Sequence, residues 1–167
     1  QGLDNVLIHA FTDGRDTDPK SGLAFLSELQ QHLDTSTGAI ASITGRYYAM
    51  DRDKRWERVK LAYDAMVNGT GEPSEDMLKS VKASYDNDIT DEFIKPIINA
   101  SLSNTKIQAG DAVICFNFRT DRCREITQVL TQIDMPDFGM KTLPLHYTTM
   151  TQYDQSYKGV NVMFEND

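Results

Sequence analysis

At 167 residues, with 40% apolar and 25% charged side chains, the chain has the size and composition of one globular domain able to bury a sizeable core. Its formal net charge of −8 argues against nucleic acid as a partner, because affinity for a phosphate backbone grows with the number of Lys and Arg presented. No run approaches the ~18 apolar residues of a membrane span, and no apolar stretch stands behind a basic start, so neither a span nor a secretory signal is expected.

Strand and helix signals alternate along the chain. Asn5-Val6-Leu7-Ile8-His9-Ala10-Phe11, ended by Thr12-Asp13-Gly14, predicts a strand buried on both faces and stopped by turn residues. Gln1-Gly2-Leu3 leads almost directly into it without an initiator Met, so the chain is expected to be a piece of a longer one. A helix should follow, with Asp18 as N-cap, Pro19 at the first helical position, and Leu23, Phe25, Leu26, Leu29 and Leu33 as its apolar stripe. Gly38 to Ile43 reads as a second strand, stopped by Thr44-Gly45. From Asp53 to Asn68, the spacing of Trp56, Val59, Leu61, Tyr63, Met66 and Val67 predicts a long helix that Gly69 is suited to end.

Glu72-Pro73-Ser74 is expected to open a short helix through Met77, Leu78, Val81 and Tyr85, closed by Asp86-Asn87-Asp88. Glu92 to Ile98 is apolar but contains Pro96, which predicts an extended or edge segment and not a central strand. Asp111 to Phe118 gives the clearest buried strand, and Asp121 or Arg122 through Ile133 a helix with Ile126, Val129, Leu130 and Ile133 inward. A last strand from Thr142 to Tyr147 leads to a polar tail. The alternation predicts an α/β fold in a single domain, a mostly parallel sheet with helices on both faces.

Three arginine-bearing segments follow strand runs: Asp13-Gly14-Arg15-Asp16, then Gly45 to Arg52 with Arg46 and Arg52, then Phe118-Arg119-Thr120-Asp121-Arg122. In parallel sheets, ligands bind beyond the carboxyl ends of the strands. Runs sharing one sheet would send all three loops off the same edge, and their guanidinium groups would converge on one anion. The planar guanidinium donates paired hydrogen bonds to carboxylate or phosphate and stays charged at any working pH. Helix N-termini beyond the loops add N–H donors. The plainer reading makes Arg15-Asp16 and Asp51-Arg52-Asp53 solvated surface pairs, each worth under ~1 kcal/mol. Their recurrence at equivalent strand ends favours the shared site.

Other residues carry less. His9, inside an apolar strand, reads as a hydrogen-bonded core histidine; His32 reads as solvated, and His146 is open. Three scattered histidines, with no Cys pair at zinc spacing, give a metal site little support. Asp86-Asn87-Asp88 lacks the glycine and terminal glutamate of a calcium loop, and no phosphate-binding glycine motif is present. Met50 and Met66 read as packing. Cys115 and Cys123 do not make a disulfide framework, and a reduced, cytosolic compartment is expected.

The segments His9 to Pro19, Gly45 to Arg58 and Phe116 to Arg122 together resemble the signature regions of the bisphosphoglycerate-independent phosphoglycerate mutases, and the likeness runs from Val6 to about Asp154. It implies that residues 1–167 are the phosphotransferase domain inserted into an alkaline-phosphatase-like domain, which carries two manganese ions and a serine nucleophile. The family interconverts 3- and 2-phosphoglycerate through a phosphoserine in glycolysis and gluconeogenesis. By resemblance Arg15, Asp16, Arg46, Arg52, Arg119 and Arg122 match substrate-binding residues, and Asp16 a general acid or base. The family's metal ligands, serine and an upstream substrate-contacting histidine have no counterparts here; His9 is not that histidine. The resemblance therefore implies an isolated chain without cofactor or mutase activity, a monomeric cytoplasmic parent, and a metal domain as partner in cis. A non-catalytic anion-binding module and an interaction domain stay open as alternatives.

Overall fold

The computed structural model describes residues 2–165. Strand β1 (Leu7–Thr12), helix α1 (Gly22–Asp34), strand β2 (Ala39–Gly45), a short helix α2 (Arg46–Ala49) and helix α3 (Trp56–Tyr63) open the fold. Strand β3 (Glu72–Ser74), helix α4 (Met77–Asp86) and strand β4 (Ile97–Asn99) follow, then β5 (Ala112–Cys115), α5 (Arg124–Thr131), β6 (His146–Thr149) and β7 (Val160–Val162). The α/β class is as expected, but the strands form two sheets and not one: β1-β2-β4-β3, and β5-β6-β7. Every pairing is parallel except β2 with β4.

Several local expectations change. The first helix begins after Ser21, because Asp18 and Pro19 are spent on a turn in which Ser21 N–H donates to Asp18 O at 3.0 Å; Phe25 faces solvent. The third begins at Trp56 and widens into a π turn over Asp64–Asn68, which Gly69 ends in a left-handed conformation, φ 64°. Leu61 and Ile133 are exposed and leave their expected stripes. Glu72-Pro73-Ser74 is a strand, and the helix after it is capped by Asp76, whose side chain accepts the Lys79 N–H. Ile97–Asn99 lies between β2 and β3, not at an edge, because Pro96 falls just before its first residue; the edge position goes to β3, which tolerates Pro73.

Strand β5 is covered on one face only: Val113 and Cys115 pack inward, while Ile114, and Phe116 and Phe118 beyond it, are exposed. β1, outermost in its sheet, is half-buried. The last expected strand lies later, at His146–Thr149, beyond Pro144, and the polar tail supplies β7.

Two apolar cores support the sheets. Leu26, Leu33, Ile40, Ile43, Val81 and Ile97 fill one; Val59, Tyr63, Ile126, Val129, Leu130 and Tyr147 help to fill the other. Ile40 and Ile43 meet in the same core despite their odd spacing because the register with β1 skips Ala41, a bulge that reverses the alternation. Ile8 and Ala10 of β1 touch the first core and Phe11 touches the second, which joins the sheets.

Candidate functional site

The first arginine loop is shaped by its own acid. Asp13 Oδ1 accepts the backbone N–H of Arg15 at 3.0 Å and of Asp16 at 3.1 Å, while Gly14 takes a φ of 67° that folds the chain back. A side chain on Gly14 would meet Asp91 Cβ at 2.7 Å, so the loop lies flat on the turn Asp91–Phe93. That turn also presses on the second loop. Gly45 N–H donates to Ile94 O at 2.7 Å, and a Cβ there would stand 2.6 Å from Asp91 O. The close approach places Arg46 as the first residue of α2 with its side chain only 4% exposed.

Arg46 Nη1 donates to Asp13 Oδ1 at 2.6 Å and to Asp16 Oδ2 at 3.0 Å. Burial works against the Arg46 charge, but hydrogen bonds to the two carboxylates outweigh it and raise its pKa. Burial likewise works against an ionised Asp13; the Arg46 guanidinium and the two backbone N–H donors win and hold its carboxyl below the usual range.

Across the seam between the sheets, Arg119 Nη1 donates to the same Asp16 Oδ2 at 3.3 Å, and its Nε lies 3.6 Å from Asp121 Oδ1. Arg52 Nη1 donates to Asp121 Oδ2 at 2.8 Å. Asp121 is held below the usual carboxylate range, since Arg52 and Arg119 outweigh its desolvation. The structure thus brings Asp16, Arg46, Arg52 and Arg119 into one run of ion pairs. Arg122 sits beside it: burial, then the charges of Arg46 and Arg52, depress its pKa, and its Nε is buried without a hydrogen-bond partner among the described residues. Arg15 stands apart, 63% exposed, with Nη1 3.4 Å from Glu92 Oε1.

Three acids organise these loops: Asp91 and Glu125, which the sequence did not single out, and Asp51, which the plainer reading made part of a solvated surface pair and which is 5% exposed. Asp91 is fully buried; its carboxylate accepts the Gly22 N–H at 2.7 Å and the Tyr85 hydroxyl, while Thr12 Oγ1 donates to its carbonyl at 2.8 Å. Asp51 Oδ2 accepts the N–H of Asp53 at 3.0 Å and of Arg55 at 2.9 Å. Glu125 Oε1 accepts the Lys54 N–H at 2.7 Å. The available signal for Glu125 was its place four residues before Val129, on the inward side of α5. Asp91 offered none.

His9 is a hydrogen-bonded core histidine, with Nδ1 2.6 Å from Ser42 Oγ, and burial pushes its pKa down to about 4. Met66 is buried and Met50 packs against the second core. Among the described residues no group of three or more His, Cys, Asp or Glu side chains is arranged to hold a metal ion, and no helix is long and apolar enough to cross a membrane.

Comparison with known proteins adds to this geometry. Residues 1–155 match the family described as BPG-independent PGAM N-terminus. A 2,3-bisphosphoglycerate-independent phosphoglycerate mutase of Bacteroides thetaiotaomicron is 59% identical over 167 residues, 99% of this chain and 33% of that protein. One of Clostridium novyi is 45% identical over 98% of this chain and 33% of its own length. Among solved structures, the phosphoglycerate mutase of Leishmania mexicana, crystallised at low cobalt concentration, superimposes with a TM-score of 0.82 at 31% identity, over 92% of this chain and 30% of that one. The chain therefore spans about a third of the relatives it matches.

Proposed function

The chain belongs to the 2,3-bisphosphoglycerate-independent phosphoglycerate mutase family, and from that premise we propose that it is the phosphotransferase domain that grips the glycerate substrate. On this reading the whole enzyme interconverts 3- and 2-phosphoglycerate through a phosphoserine. The serine and two manganese ions belong to the alkaline-phosphatase-like domain outside this chain, its partner in cis. Manganese finds no fitting ligand cluster among the described residues here.

What this chain supplies is positioning and charge, most of what phosphoryl transfer asks of a protein. Arg46, Arg52, Arg119 and Arg122 hold the carboxylate of glycerate while its two hydroxyls exchange places. Both arginine contacts to Asp16 fall on Oδ2, which leaves Oδ1 to take a proton from the attacking hydroxyl and return it to the leaving one. Arg15, tied to Glu92, follows from the family motif more than from this geometry.

The observation that carries the reading is one carboxylate oxygen shared by guanidinium groups from the loops after β2 and β5. In the full-length enzyme, Arg46→Ala and Arg119→Ala should each raise KM for 3-phosphoglycerate; unchanged KM in both would overturn the assignment. The isolated chain should show no turnover of 3-phosphoglycerate with manganese present, and turnover by it would overturn the division of labour.

A further inference from the structure

Two carboxyl groups close to the Arg52 loop are buried, Asp51 at 5% exposure and Glu125, which accepts the Lys54 N–H, at 6%. Between them they accept three consecutive backbone N–H groups, those of Asp53, Lys54 and Arg55. Lys54 stands at a φ of 56°, a left-handed backbone that a lysine keeps only where its surroundings hold it. Asp51 is on the same loop as Arg52, whereas Glu125 comes from α5, the helix that follows the Arg119–Arg122 loop. In the chain Arg52 falls between Asp51 and the three held N–H groups, and it reaches Asp121 in that loop.

We propose that Asp51 and Glu125 form a positioning clasp that fixes Arg52 against the Arg119–Arg122 loop and thereby sets the grip on the substrate's anionic groups. The inference rests on the functional reading above. Neither acid touches substrate on this account; they act through the backbone of residues 53–55 and through Arg52.

The chemistry of the clasp requires a proton. Glu125 Oε2 is buried with no donor among the described residues, and the group beside it is Asp51. Two adjacent buried carboxyl groups do not both carry charge, and protonation turns Glu125 into a donor to Asp51. Burial, then the contact with Asp51, pushes the Glu125 carboxyl up to about 7. Other groups face the pair: Asp53 adds a like charge from the loop, Arg58 of α3 lies 3.6 Å from Asp51 Oδ1, and the Tyr157 hydroxyl sits near Glu125 and donates to Arg124 O. Lys54 contributes its backbone N–H. The clasp is closed while the proton is present and loosens when it leaves.

The test is steady-state kinetics of the full-length enzyme with 3-phosphoglycerate from about pH 6 to about pH 9, a range that brackets the titration. Wild-type KM should rise as the pH passes about 7, with kcat following a separate profile. Glu125→Gln keeps the acceptor for Lys54 and offers an amide N–H to Asp51, so it should retain the low-pH KM and lose that rise. Asp51→Asn should flatten the profile in the same way. Glu125→Leu should raise KM about tenfold throughout, with kcat within about twofold of wild type, as expected of misplaced binding groups. If that variant does not fold, the two amide variants still decide. A KM that climbs in both amide variants as in wild type overturns the clasp. Arg52→Ala is measured alongside: unchanged KM there sinks the arginine reading itself, whereas a raised KM with both amide variants tracking wild type sinks the clasp alone.

Discussion

Arg119 and Asp16 stand 103 positions apart in sequence, yet Nη1 of the first reaches Oδ2 of the second at 3.3 Å, the same oxygen that Arg46 meets at 3.0 Å. One carboxylate therefore ties together the loops that leave β1, β2 and β5, strands of two different sheets.

Arg46 is the buried member of this arrangement, and its removal strands Asp13 and Asp16 without their shared cation. Arg46→Ala should lower folding stability by about 2 kcal/mol, the scale for losing hydrogen bonds to charged groups, because the carboxylates left behind are 34% and 56% exposed and Asp16 keeps Arg119. Urea denaturation would measure it; a loss under about 1 kcal/mol would mean that the pairing is no more than a surface contact.

Glu125 gives stability a definite pH slope. Its carboxyl keeps a proton in the folded chain up to about 7, against an ordinary value of 4.5, so its contribution is full below the ordinary value and is lost as the pH rises toward 7. The melting temperature of Glu125→Gln relative to wild type should therefore increase between about pH 4.5 and about pH 7 and level off above. A constant difference across that interval would contradict the raised carboxyl.

Gly45→Ala places a methyl group 2.6 Å from Asp91 O and closer still to Glu92 O. The backbone there, φ −66°, suits alanine, so the penalty is crowding and not conformation. A loss of about 2 kcal/mol is expected, with a raised KM because Arg46 is the next residue. Wild-type stability in the variant would show that the turn Asp91–Phe93 yields freely.

Arg52 and Arg119 are about half exposed, at 48% and 50%, while Arg46 is 4% exposed. Salt should weaken 3-phosphoglycerate binding through the first two, as the screening length falls to about 8 Å at physiological ionic strength, and should leave the Arg46 share largely intact. The dependence of KM on NaCl should be shallower in Arg52→Ala than in wild type. Equal slopes would remove Arg52 from the binding set.

Legibility in the sequence followed element length and the reach of each interaction. The longer apolar stripes marked α1, α3, α4 and α5, and turn residues bounded β1 and β2. Strands β3, β4 and β7 have three residues each, too short for an alternation to register, and β4 pairs antiparallel with β2 where the alternation predicted parallel neighbours. The first two arginine loops could be read because Gly14 and Gly45 punctuate them, and the third because it follows the apolar run of β5. Glu125 could not be assigned a task because its partner Lys54 lies 71 positions away, and a carboxylate reads as a surface group until something buries it.

In the resting protein Arg46, Arg52 and Arg119 already hold Asp13, Asp16 and Asp121. On the proposed reading a guest that takes Arg46 and Arg52 competes with Asp13 and Asp121, while Asp16 keeps its two contacts on Oδ2. Chloride, small and singly charged, brings too little to win that exchange, whereas a molecule bearing both a phosphate and a carboxylate replaces several partners at once. The internal acids thus set how much negative charge a guest must bring to take their place.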